Sequence, residues 1–226
     1  MTIVQVSVAT ADEARAAIAS GATAIVAARS GPSPAPLSAA DLGAIVAAAD
    51  GEAEVAAFGG DLAPDGLAEL AATGADALVL PIPAGDAGAA LLSQAGRSLA
   101  TKVKLVAAFS PEAGPDFELV PVVAMAGFYG VWLAAPEASG GLLDAVELAD
   151  IARFVAAARR ARLTVGLAGG LRVVDVGTLL PLRPDHLGFR AAVSEDEDPA
   201  KPLDPARVRA VAVAFAIHSV RPAPEA

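Results

Sequence analysis

The sequence predicts a single-domain (β/α)8 TIM barrel, and three observations carry the prediction. Short apolar runs alternate with helical patterns, giving eight strand–helix pairs in 226 residues, a length that one such barrel occupies. A glycine-led segment recurs as Gly21-Ala-Thr-Ala-Ile-Val, Gly74-Ala-Asp-Ala-Leu-Val and Gly127-Phe-Tyr-Gly-Val-Trp, 53 residues apart each time (74 − 21 and 127 − 74). Each interval holds two strand–helix units, and two intervening strands echo one another as Val55-Ala-Ala-Phe58 and Val106-Ala-Ala-Phe109. Side-chain layers in a barrel come from alternate strands, so likeness between every second strand suits closure better than the open doubly wound sheet that is the alternative. The third observation is the stretch 163–192, which reads strand, glycine turn, short helix, strand, basic turn. In barrels the loops after strands seven and eight frequently make a phosphate site.

Taken in order, Ile3–Val8 is the first strand, apolar and β-branched. Thr10-Ala-Asp-Glu13 has the form of a capping box and opens the first helix, which Gly21 ends. Thr23–Ala27 is the second strand; Arg29–Leu37 is a Gly-, Ser- and Pro-rich loop; Ser38 caps a helix running to Asp50. Glu54–Phe58 is the third strand, ending in Gly59-Gly60-Asp61, and a helix starts at Asp65. Asp76–Leu80, Val103–Phe109 and Phe128–Leu133 are strands four to six, with helices over 86–100 and 115–127 between them. One long helix is expected from about Gly141 to Arg162. Leu163–Leu167 and Asp185–Phe189 are the last strands, joined by a short helix over Val173–Leu180 that Pro181 stops. Asp204-Pro205 opens the final helix with Pro at its first position, so the barrel spans 1–220 and 221–226 is a frayed tail.

Composition narrows the functional classes. Hydrophobic residues make up 55% of the chain, largely alanine, but no uninterrupted apolar run is long enough to argue a membrane helix. The formal charge of −10 disfavours nucleic acid and anionic membrane surfaces as partners. There is no cysteine, hence no disulfide and no thiolate chemistry, and the two histidines, His186 and His218, show no metal-ligand spacing. The reading calls for no cofactor and no metal. The start, Met1 to Thr10, lacks the basic and long apolar segments of a secretory signal, which makes the cytoplasm the expected compartment.

The candidate ligand site is the basic and glycine-rich end of the last two strands. Gly169, Gly170, Arg190, Ala191 and Ala192 offer backbone N–H groups and one guanidinium, a set suited to a phosphate or another anion. The same residues could instead let a helix pack and pair Arg190 with a carboxylate. The acidic run Glu195–Asp198 follows directly and would repel an anion unless it points away. Asp61 stands where a general base or ligand contact would, or else caps the next helix, and Arg29 lies at the end of strand two. Glu112 and Glu137 are acids in the loops after strands five and six. Asp76 and His186 begin strands and so lie low in the barrel; Trp132 and Tyr129 read as packing residues and His218 as a surface residue.

With these segments in view, the chain resembles the (5-formylfuran-3-yl)methyl phosphate synthase family. The resemblance rests on Leu167-Ala-Gly-Gly-Leu171, Pro184-Asp-His-Leu-Gly-Phe-Arg-Ala-Ala192 and Leu203–Phe215, and extends to Gly59-Gly-Asp61 and Gly74-Ala-Asp76. It implies a TIM barrel of methanofuran-type cofactor biosynthesis that joins two molecules of glyceraldehyde 3-phosphate, a lyase-type synthase working through Schiff-base lysines. The family's Asp-x-Lys after strand two is here Val26-Ala27-Ala28 followed by Arg29. Its strand-four lysine is Val79, and its acid and lysine after strand six give way to 134–138, Ala-Ala-Pro-Glu-Ala. The Cys and glycine-rich run after strand eight is replaced by Val193 to Asp198.

Condensing two carbonyl compounds through a Schiff base needs an uncharged amine. The whole chain has three lysines: Lys102 and Lys104 at the start of strand five, and Lys201 in the acidic loop before the last helix. Arg29 could supply charge there but stays protonated and is no nucleophile. Two readings follow: a divergent enzyme of the family with a rearranged site, or a non-catalytic barrel that keeps the fold and binds an anionic ligand or a partner protein. In either case a phosphorylated small molecule is the expected ligand class, and a homo- or hetero-oligomer is compatible with the sequence.

Overall fold

The computed structural model describes residues 2–31, 34–111, 118–136 and 140–219. Eight parallel strands close into a barrel in sequence order, β1 (Ile3–Val8), β2 (Ala24–Ala27), β3 (Glu54–Phe58), β4 (Ala77–Pro81), β5 (Lys104–Phe109), β6 (Gly130–Ala134), β7 (Thr164–Ala168) and β8 (His186–Phe189), with β8 returning to β1. The helices are α1 (Ala11–Ala19), α2 (Ala39–Ala49), α3 (Pro64–Ala71), α4 (Gly85–Leu99), α5 (Leu119–Met125), α6 (Leu142–Ala145), α7 (Leu148–Arg160), α8 (Val176–Leu179) and α9 (Pro205–Ser219). No described helix is long and apolar enough to cross a membrane.

The pleat divides every strand between two cores. One alternate set, including Val4, Ile25, Val55, Leu78, Leu105, Val131, Val165 and Leu187, packs against the helices in the large outer core. The other set points into the barrel, where Val26, Ala56, Ala77, Val79, Val106 and Trp132 form a separate inner cluster. The glycine-led repeat is visible here in space. Val26, Val79 and Trp132 are its equivalent positions, and with Gly188 of β8 they make one inward layer from the four even strands. Gly166 makes room for that layer, because a Cβ there would lie 2.4 Å from the Trp132 ring. Gly21, Gly74 and Gly127 all adopt positive φ (104°, 91° and 80°), which turns each preceding helix into its strand.

The second echo does not survive. Phe58 faces the barrel interior, whereas Phe109 faces outward and meets Phe154 of α7 edge-on at 6.3 Å. A shift of one residue sends a side chain to the opposite face of a sheet, so Val55–Phe58 and Val106–Phe109 match in letters but not in pleat.

The caps read from sequence are present: Thr10 and Ser38 each accept from the N–H three residues on, at 3.2 and 3.1 Å. The long helix expected from Gly141 to Arg162 is instead two. Val146 takes extended dihedrals (φ −137°, ψ 131°), breaking the chain into α6 and α7. The short helix after β7 is likewise composite, with 3-10 turns at Val173–Asp175 and Leu180–Leu182 flanking α8. The tail 221–226 lies outside the described residues.

Candidate functional site

A cavity of ≈120 Å³ opens at the C-terminal end of the strands, where barrels carry their active sites. Its floor is the Val26–Val79–Trp132–Gly188 layer, and its walls include Phe58, Ala28 and Ala108. Its roof is the loop after β2, where Arg29 and Ala35 pair in antiparallel fashion (N···O 2.8 and 3.4 Å) and so fold Ser30, Gly31 and Pro34 over the opening. Pro36 of the same loop rests on Gly60, where a Cβ would come within 2.7 Å of its ring.

The chemistry of this lining is unusual for a barrel mouth. Among the described residues it contains no lysine, no histidine and no carboxylate, and its cations are Arg29 and Arg190. Arg29 is exposed at the lip and donates to the Pro36 carbonyl at 3.4 Å. Arg190 is 8% exposed, and all five of its N–H groups are engaged. Nε donates to Pro199 O (2.9 Å), Nη1 to Ser7 O (3.1 Å) and Glu13 Oε2 (3.0 Å), and Nη2 to Glu13 Oε1 (3.2 Å) and Lys201 O (2.7 Å). An incoming phosphate would have to displace one of these partners. The Glu13 carboxylate also accepts from Ala9 N–H at 2.7 Å and Leu203 N–H at 3.2 Å. The capping-box acid thus reaches past its own helix to tie α1, β8 and the acidic loop together. That loop is held off the cavity, with Lys201 paired to Asp196 at 2.7 Å and Arg207 to Glu197 at 3.0 Å.

The sequence candidates are only partly brought together. Gly169, Arg29 and Arg190 reach the cavity wall. Gly170, Ala191 and Ala192 do not line it, and Asp61 lies in a wider neighbouring groove of ≈580 Å³ bounded by Pro36, Leu62 and Pro83. The first residue of α3 is flanked by Ala63, without a side-chain cap, so Asp61 does not serve as one. Gly169 (φ 96°) and Gly170 (φ 56°) have a packing reason to be glycine. A Cβ on Gly169 would lie 2.0 Å from Ala135 O, and one on Gly170 2.6 Å from Gly141 Cα. Glu112, Glu137 and Ala138 lie outside the described residues.

Two cavity residues were not singled out from sequence. Gln5 is 4% exposed, lines the cavity and makes no side-chain hydrogen bond among the described residues. The Ser30 hydroxyl is buried without a partner among the described residues. The signal for Gln5 was present in β1, where Gln5 and Ser7 alternate with Val4, Val6 and Val8 and so mark an inward polar edge.

The opposite end of the barrel holds Glu54, Lys104, Asp76, Asp185 and His186. Lys104 pairs with Glu54 at 3.1 Å across the floor and lies 4.7 Å from the centre of the Tyr129 ring. The hydrogen bond to Glu54 raises the Lys104 pKa. His186 is buried, its Nδ1 has no partner among the described residues, and burial lowers its pKa, which favours the neutral imidazole near pH 7. Asp76 and Asp185 both act as strand locks, their Oδ2 atoms accepting from Val55 and Val165 N–H at 2.8 Å each. Tyr129 is 41% exposed rather than packed in a core, and His218 rests against Gly177 of α8 rather than on open surface. Lys102 is exposed in the turn before β5, and the Asp196 partner raises the Lys201 pKa. The described residues contain no group of three or more His, Asp or Glu suited to hold a metal.

Comparison with known proteins decides the family. The model of the 4-HFC-P synthase family matches residues 4–212. A protein of Methylorubrum extorquens, provisionally named (5-formylfuran-3-yl)methyl phosphate synthase, is 34% identical over 188 residues, covering 81% of this chain and 76% of that protein. The chain belongs to the 4-HFC-P synthase family. Among solved structures, phosphoribosyl anthranilate isomerase from Thermus thermophilus superposes with a TM-score of 0.73 at 19% identity, over 98% of this chain and 100% of that one. The 3-hexulose-6-phosphate synthase of Salmonella typhimurium follows at 0.69 and 17% identity, over 96% and 100%. At such identities these two speak for the barrel alone. Within the 4-HFC-P synthase family, the resemblance implies an acid and lysines beside positions 26, 28 and 79. Here Val26, Ala28 and Val79 are buried residues of the cavity lining.

Proposed function

We propose that this member of the 4-HFC-P synthase family serves methanofuran-type cofactor biosynthesis without running the lysine-dependent condensation of glyceraldehyde 3-phosphate. One observation carries the reading: among the described residues, no lysine lines the cavity at the mouth of the barrel. The whole chain has three lysines. Lys102 and Lys104 belong to the floor end of β5, and Lys201 is ion-paired in the loop after β8. A Schiff-base lysine is activated by a lowered pKa. The carboxylates beside Lys104 and Lys201 shift these amines the other way, toward the protonated form.

A closed barrel, a formed cavity over an ordered hydrophobic layer, and a family match over most of the chain favour a ligand-binding role within the pathway. The test is direct product analysis. The full chain, incubated with millimolar glyceraldehyde 3-phosphate, should give no furan aldehyde detectable by ultraviolet absorbance or chromatography. Catalytic formation of the furan product would overturn the proposal.

A further inference from the structure

We infer that the mouth cavity binds one small, uncharged, single-ring molecule carrying a hydroxyl or aldehyde group, such as an unphosphorylated furan alcohol. The inference rests on the non-catalytic reading above and specifies what the site takes instead of two triose phosphates.

Size comes first. An apolar cavity of about 150 Å³ is known to stay dry and hold one benzene. At ≈120 Å³ this cavity suits a five- or six-membered ring. Shape comes next. Trp132 and Phe58 offer flat aromatic walls, Val26 and Val79 an aliphatic base, and Gly188 leaves open the fourth place in that layer. A ring bound there exchanges water for apolar contact on most of its surface.

Polarity selects the substituent. Burying a charge without a partner is far costlier than burying a hydroxyl. Of the two cations in the lining, Arg190 is consumed by Glu13 and three carbonyls, and Arg29 is exposed at the lip, so an anion that used it would sit at the lip rather than beside the Val26–Val79–Trp132 layer. Two neutral groups do await a partner. The Gln5 amide offers a donor and an acceptor, with Oε1 3.7 Å from where a Gly188 Cβ would be, and the Ser30 hydroxyl is buried and unpaired among the described residues. The hydroxyl or carbonyl of a bound ring would give the Gln5 amide a partner.

The chain carries its own reporter, because Trp132 is its one tryptophan and forms the cavity wall. Titrating the full chain with 3-furanmethanol, which is transparent at tryptophan excitation wavelengths, should change Trp132 fluorescence saturably, with a dissociation constant on the order of 1 mM. Gln5→Leu should weaken binding about 10-fold. Ala108→Leu, which fills the cavity, should abolish the response while circular dichroism stays that of a folded barrel. Orthophosphate and glyceraldehyde 3-phosphate should neither alter the fluorescence nor displace the alcohol. No response to 3-furanmethanol at ten times that concentration, an undiminished response in Ala108→Leu, or displacement by orthophosphate would each overturn the inference. Failure here leaves the absence of furan synthesis intact, whereas product formation from glyceraldehyde 3-phosphate would remove the functional reading itself.

Discussion

The two ends of this barrel are built on opposite terms. The mouth, where barrel enzymes keep their reactive groups, is lined by Val26, Ala28, Val79, Phe58 and Trp132, with Gln5, Ser7 and Ser30 as neutral polar groups and Arg190 locked to Glu13. The floor, where charge serves stability, holds Glu54, Lys104, His186, Asp76 and Asp185. The contrast teaches that fold and chemistry are carried by different residues of the same strands. Ala77 and Val79 of β4 are two residues apart and both inward, yet one secures the core and the other stands where the family resemblance implies a lysine. Replacing the second leaves the barrel closed.

That contrast can be broken most forcefully by putting an amine back. Val79→Lys places a lysine in the apolar cavity, where burial lowers its pKa. Incubation with an uncharged aldehyde such as 3-furaldehyde and borohydride should attach the aldehyde at position 79, orders of magnitude faster than at Lys102. Equal labelling of the two sites would show that the mouth confers no activation.

Next in size is the clamp at the mouth. Glu13 and Arg190 are 14% and 8% exposed in their side chains, so removing one leaves the other buried and unpaired. Glu13→Ala should cost about 3–5 kcal/mol of stability by urea denaturation. A loss of under about 1 kcal/mol would mean that the pair is solvated and Arg190 is free to meet an anion after all. Trp132→Ala should cost about 3 kcal/mol, the lower end for a buried aromatic because the ring borders an existing cavity.

The floor gives the smaller effects. Burial holds the His186 pKa below its ordinary 6.5, so the unfolded chain takes up the proton first as pH falls. The stability linked to His186 is therefore present above pH 6.5 and is lost as pH drops through the lowered folded value. His186→Asn should flatten that decline in pH-dependent urea denaturation; an unchanged slope would contradict the assignment. Lys104→Met should change stability by no more than about 1 kcal/mol, because the Lys104–Glu54 pair is partly solvated.

The fold was legible because local signals and the global pattern agreed: strand limits fall within two residues of those expected, and the caps at Thr10 and Ser38 are as read. What was missed needed the third dimension. Nothing in the letters of Val55–Phe58 and Val106–Phe109 says that one phenylalanine points in and the other out. Arg190 looked like an anion ligand because its partner, Glu13, is 177 residues away. The glycines Gly169 and Gly170 looked like a phosphate turn, while their immediate neighbours are the backbone of Ala135 and Gly141. The apolar residues in place of an acid and a lysine, by contrast, could be read from sequence, since Val26 and Val79 sit at matching places in the repeat.

The central claim is that no lysine of the unaltered protein is poised for Schiff-base chemistry. Incubation of the full chain with glyceraldehyde 3-phosphate, reduction with borohydride and peptide-mapped mass spectrometry test it directly. The account predicts that Lys102, Lys104 and Lys201 are all recovered unmodified; a reduced adduct on any of them, formed at substrate levels where free lysine stays unlabelled, would contradict it.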